Sequence, residues 1–229
     1  MVNLTRIYTR TGDKGQTRLV DNSVADKTDP RVCAYGDVDE ANAIIGIATA
    51  TGDLPPELTE ALGTISNELF DLGSDLGNPV VAEPAWEPLR IEQPSIDRLE
   101  AWCDRFGADL PDLTSFILPG GTVAGSHLHL ARTVVRRAER SAWAAAAEYG
   151  LGPQEEGRPG GINPLAITYL NRLSDLLFIA ARVANVSAGD VLWIPGKDRE
   201  PTDARAKRQR ERITRSTTLA AGDDAGAGD

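Results

Sequence analysis

Four arginines crowd one stretch of this chain. Residues 116–140, FILPGGTVAGSHLHLARTVVRRAER, carry Arg132, Arg136, Arg137 and Arg140 against a single acid, Glu139. At about 100° per residue, Leu128, Ala131, Val135, Ala138 and Ala142 fall on one apolar stripe of a helix. Arg132 and Arg136 then lie just beside that stripe, and Arg137 points roughly the other way. A guanidinium is a planar fork of donors, suited to a polyanion or to a buried acid. The alternative is a solvated, ion-paired helix face.

A second cluster lies near the start, in TRTGDKGQT at residues 9–17. Gly12 and Gly15 permit positive φ and close backbone approach around an Asp-Lys pair, the ingredients of an N–H concavity for anions. Thr9, Thr11 and Thr17 add hydroxyls. The spacing is not that of a Walker A loop, and a polar hairpin turn is the competing reading. His127 and His129, the only histidines, stand two apart on a helix and do not share a face, so no metal site is expected.

These side chains need a scaffold. The chain has 229 residues, 41% of them hydrophobic, enough for a real core. Its formal charge of −10 argues against a general nucleic-acid binder, so anion recognition must be local. Cys33 and Cys103 have no metal or redox spacing, and Cys103 falls on an apolar stripe as a buried thiol. No run is apolar enough for a signal peptide or a membrane span, which makes the cytoplasm the expected location.

The pattern predicts an all-α bundle of five helices behind an extended, loop-like N-terminal segment, residues 1–31. Helix one is expected over about 37–50, with Asp37 and Glu40 as a capping box. Helix two opens at Pro55 and Pro56 and carries a seam of Leu58, Leu62, Ile65, Leu69, Leu72 and Leu76. Helix three presents Ile96, Leu99, Cys103 and Phe106. A long loop, 107–122, leads into helix four at about 123–149. A mobile Gly/Pro-rich loop is expected at 150–161, and Asn163-Pro164 opens helix five. One domain is expected over 1–196, followed by a charged, disordered tail at 197–229.

Taken in order, TRTGDKG with Lys27 downstream, YGDVDEANAIIG at 35–46, FILPGG…ARTVVRRAER, and NRLSDLLF at 171–178 resemble the ATP:cob(I)alamin adenosyltransferases of the propanediol-utilisation type. The resemblance spans roughly residues 5–195, and the 150–161 insertion and the tail lie outside it. It implies a homotrimer of five-helix bundles holding ATP between subunits and passing its 5′-deoxyadenosyl group to cobalamin, with Mg²⁺ on the triphosphate. By that resemblance Thr9, Arg10, Thr11, Gly12, Lys14, Thr17 and Lys27 contact the nucleotide from one side. Arg136, Arg137, Glu139 and Arg140 meet it from the other, with Asn171 nearby. Asp39 and Arg132 form a structural ion pair at the subunit contact, and Phe116 sits beside the corrin ring. Arg136 and Phe116 are the residues expected to act in the reaction. A reductase and an adenosylcobalamin-dependent enzyme are the implied partners. The competing function is a non-catalytic cobalamin carrier, or an ATP-responsive interaction module, on the same bundle.

Overall fold

A computed structural model describes Tyr8 and residues 10–196. Five helices form the body: α1 (Pro30–Thr51), α2 (Pro56–Leu76), α3 (Gln93–Gly107), α4 (Val123–Tyr149) and α5 (Pro164–Ala184). The division between compact units falls at Val191; the five helices belong to the first, and a second unit begins at Leu192. The expected tail at 197–229 lies outside the described residues.

Each helix start has a local cause. The Thr122 side chain accepts from Gly125 N at α4, and the Asn163 side chain accepts from Leu165 N at α5, each satisfying one orphan donor of a first turn. Pro56 and Pro164 sit in first turns, where a missing N–H costs nothing. Helix one departs from expectation. It starts at Pro30, with Asp29 as the cap accepting from Arg31 N at 2.7 Å. Asp37 and Glu40 are therefore mid-helix and cap nothing; Arg137 of α4 takes both.

The core is the set of predicted stripes brought face to face. On α4, Leu128, Ala131, Val135, Ala138 and Ala142 are all fully buried, as is the α2 seam from Leu58 to Leu76. Each such leucine contributes about 1.5–3 kcal/mol relative to exposure. α1 and α4 run antiparallel as the central pair. Ser141 Oγ donates to the Asp37 carboxylate at 2.6 Å, and the Tyr149 hydroxyl donates to Asp29 at the far end.

The N-terminal segment is more ordered than a loop. β1 (Gln16–Arg18) pairs antiparallel with β2 (Val24–Asp26), Thr17 opposite Ala25. Val20 N donates to Gly77 O at 3.0 Å, which fastens the hairpin to the end of α2. The 150–161 loop, expected to be mobile, is tied at both ends. Gly152 N donates to Ile162 O at 2.8 Å, and Gly161 N to Gly152 O at 3.0 Å. Its exposed tip is 155–159. Cys103 is half-buried, and burial pushes its thiol up to about 11, so it stays protonated at neutral pH.

Candidate active site

Arg132 and Arg136 stand one turn apart on α4 and open onto a groove of about 220 Å³. Ser174, Asp175, Phe178 and Ile179 of α5 form its other wall. Both helices are held rigid by the core below, so the two guanidiniums are fixed to within side-chain rotation. Neither has a carboxylate partner among the described contacts. The Arg132 Nε is buried without a hydrogen-bond partner. Burial, and then the charge of Arg136, push its guanidinium below the usual range. Two cations this close, with no ion pair to either and a single carboxylate, Asp175, on the facing wall, leave net positive charge that a further anion would relieve.

Arg137, one residue along, is finished. Its Nε donates to Asp37 at 3.0 Å and its Nη2 to Glu40, both on α1. It faces away from the groove, as the helical angle requires. The structure thus separates Arg137 from Arg136, although the resemblance placed both on one ligand. Glu139 and Asn171 do come together, at 3.2 Å across α4 and α5. Arg140 is exposed and reaches back to Arg136 O at 3.0 Å.

The second cluster gathers at the α1 start. Gly15, at φ 83°, turns the chain so that its N–H reaches Gly12 O and its carbonyl accepts from Lys27 N at 2.8 Å. A Cβ on Gly12 would lie 3.0 Å from Lys27 Nζ. The bare glycine therefore lets the Lys27 ammonium lie over the TGDKG turn. Lys14 is exposed there. Arg10 adopts φ 61°, a left-handed conformation uncommon outside glycine and often found at binding sites. Thr17 sits on β1 against Tyr35 of α1, where burial pushes the Tyr35 hydroxyl up and a bond to Thr17 opposes the shift. Thr11 is described and exposed; Thr9 lies outside the described residues.

Phe116 is 78% exposed. A core plug, the usual reading of a large aromatic in a loop, is therefore wrong for it. Several contacts hold its loop. Arg182 Nη2 donates to Pro111 O at 2.6 Å, Leu118 N to Val191 O at 2.7 Å, and Asn185 Nδ2 to Gly120 O at 2.9 Å. Asn185 is fully buried and its Oδ1 also accepts from Thr122 N at 2.9 Å. A Cβ on Gly121 or Gly125 would come within 2.4 or 2.1 Å of that oxygen. This explains the glycine-rich entry to α4: the backbone must pass flush against Asn185.

Asp39 is exposed beside a groove between α1 and α2, of about 360 Å³, shared with Tyr35, Asn42 and the exposed Phe70. Arg132 lines the α4–α5 groove instead, so the two do not pair within one protomer. Asn185 escaped the sequence reading, and His129 was read there only as a candidate metal ligand. Nothing nearby in the chain marks Asn185, which is one polar residue past the end of α5. His129 is buried, its ring edge-on to Phe178 at 6.1 Å, with neither nitrogen bonded. Its place one turn before Arg132 was the available signal.

The family model for cobalamin adenosyltransferase matches residues 7–184. A corrinoid adenosyltransferase of Mycobacterium tuberculosis is 57% identical over 198 residues, covering 86% of this chain and 97% of the relative. One from Bacillus subtilis is 44% identical over 187 residues, covering 80% and 89%. A variant PduO-type ATP:corrinoid adenosyltransferase from Lactobacillus reuteri, solved with cobalamin and ATP, superposes with a TM-score of 0.72 at 38% identity, covering 84% of this chain and 99% of that one. With a matched model over most of its length and the same helical bundle, the chain belongs to the cobalamin adenosyltransferase family.

Proposed function

We infer that the chain transfers the 5′-deoxyadenosyl group of ATP to the cobalt of cob(I)alamin, giving adenosylcobalamin and triphosphate. The observation that carries this reading is the pair of arginines without an ion-pair partner, Arg132 and Arg136, facing a groove in a member of this family. The cobalt electron pair attacks C5′ of the ribose and the Co–C bond forms. The C5′–O bond breaks, and the triphosphate leaves with its electrons. No proton moves, so no general base is required. The protein's task is to hold C5′ and cobalt in line, an effect worth up to about 7–11 kcal/mol. It must also meet the charge that gathers on the leaving triphosphate. Arg136 and Lys14 are suited to the second task, with Glu139, Arg140 and Asn171 shaping the same side of the nucleotide.

The two clusters do not share one place within a protomer. Lys27 and the TGDKG turn lie at the α1 start, the end where Asp29 meets Tyr149. Arg136 is roughly 20 Å up α4 from Tyr149, at 1.5 Å rise per residue. A homotrimer resolves this: the turn of one subunit, with Arg10, Thr11, Gly12, Lys14, Thr17 and Lys27, closes over the arginine groove of the next. The same packing gives Arg132 its missing counter-charge, Asp39 of the neighbour. Arg137 is better read as the tie that sets α4 against α1 than as a nucleotide ligand.

Mg²⁺ usually binds substrate phosphates together with one or two carboxylates. Asp175, in the groove with Arg136, offers one, so the residues fit a magnesium ion that arrives with ATP and neutralises its oxygens. Phe116, exposed in the 107–122 loop, is the residue we assign to excluding the lower axial ligand of cobalt, which would ease formation of Co(I). A reductase supplying the electron and an adenosylcobalamin-dependent enzyme are the partners this chemistry asks for. No described helix is long and apolar enough to cross a membrane, and a cytoplasmic location suits a reaction that needs Co(I).

Protein, ATP, cobalamin and a reductant mixed without oxygen should give the visible spectrum of a cobalt–carbon product. Cobalamin bound without that spectral change would support a carrier instead.

A further inference from the structure

Arg31 is the one fully buried arginine among the described residues, 2% exposed, and it has no carboxylate partner. It rises from the first turn of α1 into a corner where three segments end. Its Nη1 donates to Leu76 O at 3.1 Å, the last residue of α2. Its Nη2 donates to Gly160 O at 2.8 Å, in the loop between α4 and α5. Its guanidinium lies 4.8 Å over the ring of Tyr149, the last residue of α4. Tyr149 in turn donates to Asp29, whose carboxylate caps α1 through Arg31 N.

The TGDKG turn hangs from this corner by both ends. Before α1, Lys27 N bonds to Gly15 O, and the Lys27 ammonium lies over Gly12. Beyond β1, Val20 N bonds to Gly77 O, next to the Leu76 carbonyl that Arg31 holds. Burial pushes the Arg31 guanidinium down, with Tyr149, Asp29 and Asp21 opposing. Burying such a donor without a formal partner is costly unless its geometry is used. The use on offer is to fix α1, α2 and the 150–161 loop at one angle.

We propose that Arg31 is a positioning residue for ATP. It clamps the base of the anion-binding turn, and the 150–161 segment is the strap that completes the clamp through the Gly160 carbonyl. The inference rests on the adenosyltransferase reading above. Arg31 touches no substrate itself. Its effect passes through Lys27 and the glycines of the turn, whose displacement would weaken their hold on bound ATP.

The test uses the full-length protein with R31M, R31K and Y149F, each assayed for ATP affinity by calorimetry, for KM of ATP and of corrinoid, for kcat and for Tm. R31M should raise the KM and Kd for ATP by about tenfold or more, with kcat at saturating ATP and the corrinoid KM within about twofold of wild type. R31K keeps the charge but loses the flat stack and the fork, so it should fall between. Y149F keeps the packing and removes the tie to Asp29; it should shift ATP affinity the same way by less. If R31M does not fold, Y149F and R31K decide alone. The proposal is overturned if ATP affinity is unchanged in the folded variants. It is also overturned if kcat and both KM values worsen together in step with Tm, the pattern of general destabilisation. Failure of wild type to bind ATP would instead sink the adenosyltransferase reading.

Discussion

Two arginines adjacent on one helix have opposite fates. Arg137 faces α1 and is held by Asp37 and Glu40. Arg136 faces α5 across a groove, beside an Arg132 whose buried Nε has no partner. Residue type, helix and solvent are shared, so the difference lies in the neighbouring wall. α1 presents two carboxylates at the matching height, and α5 presents Ser174, Phe178 and a single Asp175. One face of α4 is electrostatically complete in the protomer. The other leaves Arg132 and Arg136 without an ion pair.

Substitutions can break that contrast. The largest effect on nucleotide binding is expected from Arg136→Ala, which should weaken it by about 1.5–3 kcal/mol, the worth of a charged hydrogen bond, with Tm nearly unchanged. Calorimetry decides it, and unaltered ATP affinity would remove Arg136 from the site.

Next is the proposed subunit contact. Asp39→Ala or Arg132→Ala should loosen the trimer, each leaving a charge stranded at a cost of roughly 3–5 kcal/mol if the pair is buried on assembly. Sedimentation equilibrium reads the effect. The double neutral variant should do less harm than the two single losses summed; additive losses would mean the side chains do not meet.

A smaller change is expected at Arg137. Its side chain is 40% exposed, and Asp37 and Glu40 are 20% and 52% exposed, so solvent screening leaves about 0–1 kcal/mol. Arg137→Ala should lower Tm slightly and leave ATP affinity within about twofold. A loss of ATP binding as large as that of Arg136→Ala would collapse the distinction between the faces.

The smallest effect is a pH dependence. Burial first, then Arg132, push the His129 imidazole below its ordinary 6.5, with Asp190 opposing. The folded protein therefore keeps His129 neutral where the unfolded chain would protonate it. That contribution is whole above about 6.5 and is lost as pH falls from there towards the lowered value. Between pH 7 and 5, Tm should drop less in His129→Phe than in wild type. Parallel curves would refute it.

The sequence disclosed the parts of this design whose causes are local. The α4 stripe, the Asn163-Pro164 start and the α2 seam each follow from residues within a few turns, and the structure has them where expected. The start of α1 was misread because two signals competed. Asp29-Pro30 is as good a cap as Asp37 with Glu40, and only the position of Arg137, a hundred residues away, shows that the second pair of acids is spent elsewhere. The 150–161 loop looked mobile from its glycines and prolines, since nothing nearby reveals that Arg31 grips the Gly160 carbonyl. The site clusters were visible as residue types. That Arg136 and Arg137 serve different walls was implied by the helical angle, and the identity of those walls was not.

The antiparallel α1–α4 pairing also has a consequence for synthesis. Asp37 waits for Ser141, and Asp29 for Tyr149. On a ribosome adding about 5–20 residues per second, α1 emerges seconds before the helix that will cover Ile45 and Val38. Contacts this distant in sequence are closed late and slow folding. The nascent chain must hold an unfinished α1 against α2 alone until α4 appears. A pause or truncation before Tyr149 should thus leave a species that is helical, sticky and unable to recognise ATP, and chaperone demand should peak over that interval.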